Sequence, residues 1–259
     1  MSDRKNWTRE ETILAMDLYT RTPFGKIGKN NLEIIELAKL LGRTPDAVAF
    51  KMHNLAHHDP ELKARNVTAL AHGSKVDLAV YNEFANNIEE LSFQAQIIIA
   101  QMKKTTIEKL LPELEIDILP IGEYKEQQTK VRIGQYFFRK SVLAAYSNAC
   151  CLTGIKNDEL LVASHIKPWK DCDIKTERTN PSNGLCLNSL HDQAFDRGFI
   201  TIDKNYRIIN SKLLKEIDMD DYTRGWFEYY NHKEIMLPVT YLPGKDFIEY
   251  HNDKVFKGA

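Results

Sequence analysis

The sequence predicts an α+β protein in two parts: a helical N-terminal region and a C-terminal region where two short strands and a helix gather polar residues. Three observations carry this. Apolar residues recur at helical spacing through most of the first half. A charged stretch with two prolines, Pro112 to Lys130, separates the halves. A short apolar run ending before Pro168 is then followed by a polar insert, a second apolar run and a helical pattern. With 259 residues and 43% hydrophobic content, the chain can bury two modest cores.

Thr8 can cap a first helix from about Arg9 to Tyr19, with Glu11 as the third-position carboxylate of a capping box. The turn RTPFGKIGKN, with one Pro and two Gly, stops it. Ile34, Leu37, Ala38 and Leu41 have the spacing of a second amphipathic helix, and Gly42 suits its C-terminal cap. Thr44 caps a third helix beginning at Pro45, with Val48, Met52 and Leu55 on its buried face and Asp46, Phe50 and His53 opposite. Three short helices opened by Trp-Thr-x-Glu-Glu resemble the helix-turn-helix class, loosely of the Myb or SANT kind. The resemblance implies a DNA-recognition unit whose Arg43, Lys51, His53 and Asn54 touch phosphates or base edges. The alternative is a solvated face, with Phe50 packed on the second domain.

From Ser74 to about Leu111, Val76, Val80, Phe84, Ile88, Leu91 and Ile97 to Met102 predict one long helix or two end to end. Their apolar stripe serves either a core or a dimer seam. The expected division is a recognition domain over 1–72, a helical connector and linker over 73–124, and a second domain over 125–259.

That second domain opens on VRIGQYFFRKSVLAAY, where Phe137, Val142 and Tyr146 can share a helix face and Arg132, Arg139 and Lys140 offer positive charge. LLVASHIKP reads as a strand carrying His165, DCDIKTERTNPS as a loop, and Asn183 and Gly184 as the opening of a second strand. His191 then lies early in the helix LNSLHDQAFDRG. These segments, His-Ile-x-Pro, Asn-Gly-Leu-x-Leu and His-x-x-x-Phe-Asp-x-Gly, resemble a subgroup of the HNH nucleases of the ββα-metal superfamily.

The resemblance implies that His165 is the general base, that Asn183 orients it or pins the loop, and that His191 binds a divalent metal. The sequence departs from the family's commonest pattern at Ser164, where many members have a metal-binding Asp or His, and at Phe195, where many have a second His. That leaves His191, with help from Ser164 or Asp192, to hold Mg2+ or Mn2+ in a water-rich shell. Lys167 and Arg197 would meet DNA phosphates, Arg197 as a fixed positive charge. The implied activity is metal-dependent endonuclease cleavage of DNA, in a restriction or defence setting and in one form dependent on a modified base, with a homodimer for double-strand cutting. The competing classes are a DNA-binding regulator that has lost catalysis and a nuclease effector gated by a partner or ligand.

Composition limits the remainder. The formal net charge of -1 means that charge placement, and not total charge, must serve any DNA contact. No apolar run is long enough to span a membrane and the N-terminus lacks a signal-peptide core, so a cytoplasmic protein is expected. The four cysteines, Cys150, Cys151, Cys172 and Cys186, form no C-x-x-C pair, so reduced thiols are expected and structural zinc is not.

Overall fold

A computed structural model of the protein describes residues 6–60, 74–115 and 123–258. The expected boundary at 72/73 and residues 116–122 of the expected linker lie outside the described residues. The chain divides into two compact units, Met1–Phe137 and Phe138–Ala259. The division falls inside a helix, Glu123–Ala145, which also contains the boundary expected at 124/125.

In the first unit α1 (Arg9–Thr20) is the hub. Its capping box is complete, Glu11 N–H donating to Thr8 Oγ1 at 3.2 Å and Thr8 N–H to Glu11 Oε2 at 3.1 Å. It is buried on nearly every side because α2 (Leu32–Leu41), α3 (Pro45–Ala56), α4 (Lys75–Phe84) and α5 (Ile88–Met102) surround it. Asn31 caps α2, and Gly42 ends it at φ 62°, a left-handed conformation that glycine adopts without side-chain strain. Thr44 caps α3 with Pro45 at the first helical position.

Val80, Phe84, Leu91, Ala95 and Ile98 on α4 and α5 join the same core as Ile13, Met16, Ile34, Met52 and Leu55. The stripe read as core or dimer seam therefore serves the core of this unit. A one-turn α6 (Ile107–Leu110) follows, and α7 (Glu123–Ala145) adds Ile133 and Phe137 to a smaller cluster with Phe93 and Leu111.

The second unit takes the last turns of α7. β1 (Leu161–His165) pairs antiparallel with β2 (Gly184–Asn188), in register from Leu161 opposite Asn188 to His165 opposite Gly184. α8 (Ser189–Asp196) lies against that hairpin, and β3 (Ile200–Ile202) pairs with β4 (Ile208–Asn210). α9 (Asp221–Glu228) and α10 (Lys245–Lys254) complete the unit. Gly184 is required by close approach, since a Cβ there would lie 2.4 Å from Val142 Cγ2. Among the described residues no helix is long and apolar enough to cross a membrane.

His251 on α10 is buried, stacked 3.8 Å from the Phe195 ring, with Nδ1 2.8 Å from Thr201 Oγ1 and Nε2 3.1 Å from the Phe195 carbonyl. Burial pushes its pKa down to about 4, against the opposing effect of the Phe195 carbonyl. The folded state therefore holds His251 neutral, whereas the unfolded chain takes up a proton near pH 6.5. Its contribution to stability is whole above pH 6.5 and is lost as pH falls through 4, a change of about 3 kcal/mol. Urea unfolding at pH 7.5 and pH 4.5 should show this slope, and His251→Gln should flatten it. An equal slope in the variant would assign the effect to other groups.

Candidate active site

β1, α8 and α10 open onto one pocket of about 690 Å³ in the second unit. Ser164 and His165 line it from β1, Asp192 and Asp196 from α8, Tyr250 and Lys254 from α10. Lys170, Arg197 and Lys257 add positive charge around it. Sequence reasoning singled out Arg197 but missed Lys254 and Lys257. The motif gives no sign of α10, which arrives from more than forty residues downstream by packing on β3. Gly198 makes that arrival possible: its φ is 73°, and a Cβ there would sit 2.1 Å from the Val255 carbonyl oxygen.

His165 is held on three sides. Its ring stacks on Phe138 at 4.0 Å, meets the Trp169 ring edge-on at 5.4 Å, and places Nε2 2.8 Å from the Arg178 carbonyl. A carbonyl only accepts, so Nε2 carries the hydrogen and Nδ1 keeps a lone pair. Burial lowers the pKa of His165, with the Arg178 carbonyl opposing, and the ring is neutral at pH 7.

Asn183 is fully buried in the turn before β2. Its Oδ1 accepts from Lys167 N–H at 2.8 Å, and its Nδ2 donates to the Lys167 carbonyl, Cys172 Sγ and the Glu177 carbonyl at 3.2, 3.2 and 3.4 Å. Asn183 thus ties down the insert whose Arg178 carbonyl holds His165.

His191, expected to hold the metal, does not line this pocket. It is 1% exposed and surrounded by the rings of Trp226, Phe227 and Tyr230. Its Nδ1 is 2.9 Å from Asn188 Nδ2 and 3.1 Å from Asn188 Oδ1, while Nε2 makes no hydrogen bond of ordinary geometry. Burial lowers its pKa, the Trp226 carbonyl acting the other way. The next residue, Asp192, faces the pocket instead. Burial raises the Asp192 pKa, with the adjacent Ser164 hydroxyl opposing. Asp196, one turn further on and exposed at the rim, is pushed up to about 6 by local desolvation and by Asp192, with Arg197 opposing. Two carboxyls that resist ionisation together gain from a bound cation.

The other expected DNA contacts divide sharply. Arg139 donates to the carbonyls of Leu161 and Asp158 at 2.8 and 2.7 Å and so anchors the start of β1. Lys167 pairs with Glu177 at 2.6 Å. In the first unit, Arg132 donates to the Leu114 and Glu115 carbonyls and Arg43 pairs with Glu11 at 2.6 Å. Lys51, expected on an open flank, is 3% exposed and paired with Asp77, and Asn54 is buried as well. His53 packs its ring against Phe24 at 5.2 Å, and burial lowers its pKa against the Ile27 carbonyl. Of the expected phosphate ligands, Arg197 is the one exposed at the pocket.

An antiparallel hairpin backed by a helix places a neutral histidine and two carboxyls around one basic-rimmed pocket, an arrangement suited to hydrolysis beside a phosphate. Residues 150–203 match the family described as HNH endonuclease. No curated protein shows significant similarity to the chain.

Proposed function

We propose that the second unit is a metal-dependent DNA endonuclease that hydrolyses phosphodiester bonds with His165 as general base. The observation that carries this reading is the His165 ring, neutral and fixed by the Arg178 carbonyl, with the Nδ1 lone pair left to take a proton from an attacking water. Asn183 acts as a positioning residue through the insert it holds. Arg197 and Lys254 attract the DNA backbone and fix a phosphate beside His165.

Among the described residues no group of three or more His, Cys, Asp or Glu side chains forms a metal cluster. A divalent ion nevertheless fits Asp192 and Asp196 beside Ser164, whose buried hydroxyl makes no hydrogen bond of ordinary geometry. This donor set is all oxygen, which suits Mg2+ or Mn2+ kept partly hydrated and does not suit a closed zinc site. Such an ion stabilises charge on the phosphate and the leaving oxygen. One site cuts one strand, so double-strand cleavage needs a two-fold dimer or two successive nicks. The biological setting we infer, from the subgroup resemblance, is restriction or defence, with the helical first unit contributing recognition.

Supercoiled plasmid should be nicked and then linearised by the protein with Mg2+ or Mn2+, and EDTA should stop the reaction. Asp192→Asn should raise the metal concentration for half-maximal cutting by at least about tenfold. Cutting that survives EDTA, or a variant indistinguishable from the native protein, would overturn the metal assignment.

A further inference from the structure

We propose that a groove along α3 in the first unit is a receptor for a nucleobase. Arg43, Asp46, Ala47, Phe50, Lys51 and Asn54 recur at the spacing of one helical face and line a groove of about 950 Å³. Trp7 and the first turn of α4 also line it. The face that a helix-turn-helix reading lays in DNA is therefore one wall of a cleft.

Three features define what the cleft accepts. Phe50 is 49% exposed and, like Trp7, borders the groove, so a flat ring entering it meets aromatic surface. Stacking of a base on such a side chain is worth about 1–3 kcal/mol. Asn54 is 7% exposed, and its Oδ1 is buried with no hydrogen-bond partner. An orphaned buried acceptor costs about 1–3 kcal/mol, which a ligand N–H recovers once the amide turns its oxygen toward the groove. A half-turn of the amide exchanges oxygen and nitrogen in nearly the same shape, so Asn54 can meet the adjacent donor and acceptor on a base edge.

The third feature is charge. Arg43 pairs with Glu11 and Lys51 with Asp77, and both cations lie over the Trp7 ring, at 4.1 and 4.9 Å. Their charge is compensated within the fold, and Asp46 adds a carboxylate to the lining. The groove is thus built for an uncharged ring with N–H donors and not for a phosphate. A nucleobase has that chemistry, whether it comes from a free nucleoside or from an unpaired base in DNA. The inference rests on the nuclease reading only for why such a base would be at hand.

Calorimetric titration of the full chain without added metal separates the sources. One arm uses the common nucleosides; the other uses a duplex with one unpaired base and its fully paired counterpart. Saturable binding to a nucleoside identifies a free ligand, and preference for the unpaired-base duplex alone identifies DNA. Phe50→Ala, at an exposed position, should weaken that binding at least about tenfold, as should Asn54→Leu, with folding of both checked by circular dichroism. The proposal is overturned if no nucleoside binds and the two duplexes bind equally, the result expected of a groove that docks a protein. It is also overturned if folded Phe50→Ala binds like the native protein. Nucleoside binding at α3 needs neither DNA cleavage nor the pocket of the second unit, so failure of the nuclease reading and failure of this one are distinguishable.

Discussion

Replacing His165 with alanine should lower the rate of DNA cleavage by about 10²- to 10⁴-fold, the usual contribution of a positioned general base. DNA affinity should hold, because the pocket's positive charge comes from Lys170, Arg197, Lys254 and Lys257. The substitution also removes a ring stacked on Phe138 and leaves the Arg178 carbonyl without its donor, so some stability is lost with it. Two measurements separate chemistry from folding. Circular dichroism at the assay temperature should show the native fold, and added imidazole should restore part of the cleavage rate by occupying the vacated ring position. A folded, DNA-binding variant that cuts at the native rate would remove His165 from the mechanism.

Asp77→Ala should destabilise the first unit by about 3–5 kcal/mol, the usual result of leaving one charge of a buried ion pair without its partner. The Lys51 and Asp77 side chains are 4% and 1% exposed, so water cannot take the place of the lost partner. Asp77 also accepts from Ser74 N–H at 2.9 Å, so one half of the capping box of α4 is lost too, while the backbone N–H of residue 77 still donates to Ser74 Oγ. The double variant Lys51→Met with Asp77→Leu should recover most of the loss, since apolar side chains of similar volume often replace a buried pair without penalty. Urea unfolding followed by tryptophan fluorescence reads both, because Trp7 lies 4.9 Å from Lys51 Nζ. A loss below about 1 kcal/mol for Asp77→Ala would mean that the pair is solvated.

Local chemistry was legible in the sequence. The Thr8 and Glu11 capping box, Gly42 at the end of α2, and Thr44 with Pro45 at the head of α3 all stand where their residue types direct the backbone. The same holds for the strand that ends at His165 and for the helix after Asn188, whose Oδ1 accepts from His191 N–H at 3.1 Å. These signals act over a few residues, where backbone hydrogen bonding and steric preference suffice.

The direction of side chains was settled elsewhere. Successive residues on a helix point about 100° apart, so the rotation of α8 against the hairpin decides whether His191 or Asp192 meets the pocket. That rotation follows from packing Phe195 into the core and enclosing the His191 ring among Trp226, Phe227 and Tyr230. Lys51 likewise reads as a surface residue until Asp77, twenty-six residues on, supplies the charge that lets it be buried. Lys254 and Lys257 join the pocket only because α10 packs on β3 and the chain passes over Gly198. The sequence by itself determined the first three helices with their caps, the hairpin and helix of the motif, and the family match over 150–203, but not the helix Glu123–Ala145 that runs through the expected linker. Only the tertiary structure decided which charges are buried and which face a substrate, because burial and pairing depend on neighbours that the chain brings together from a distance.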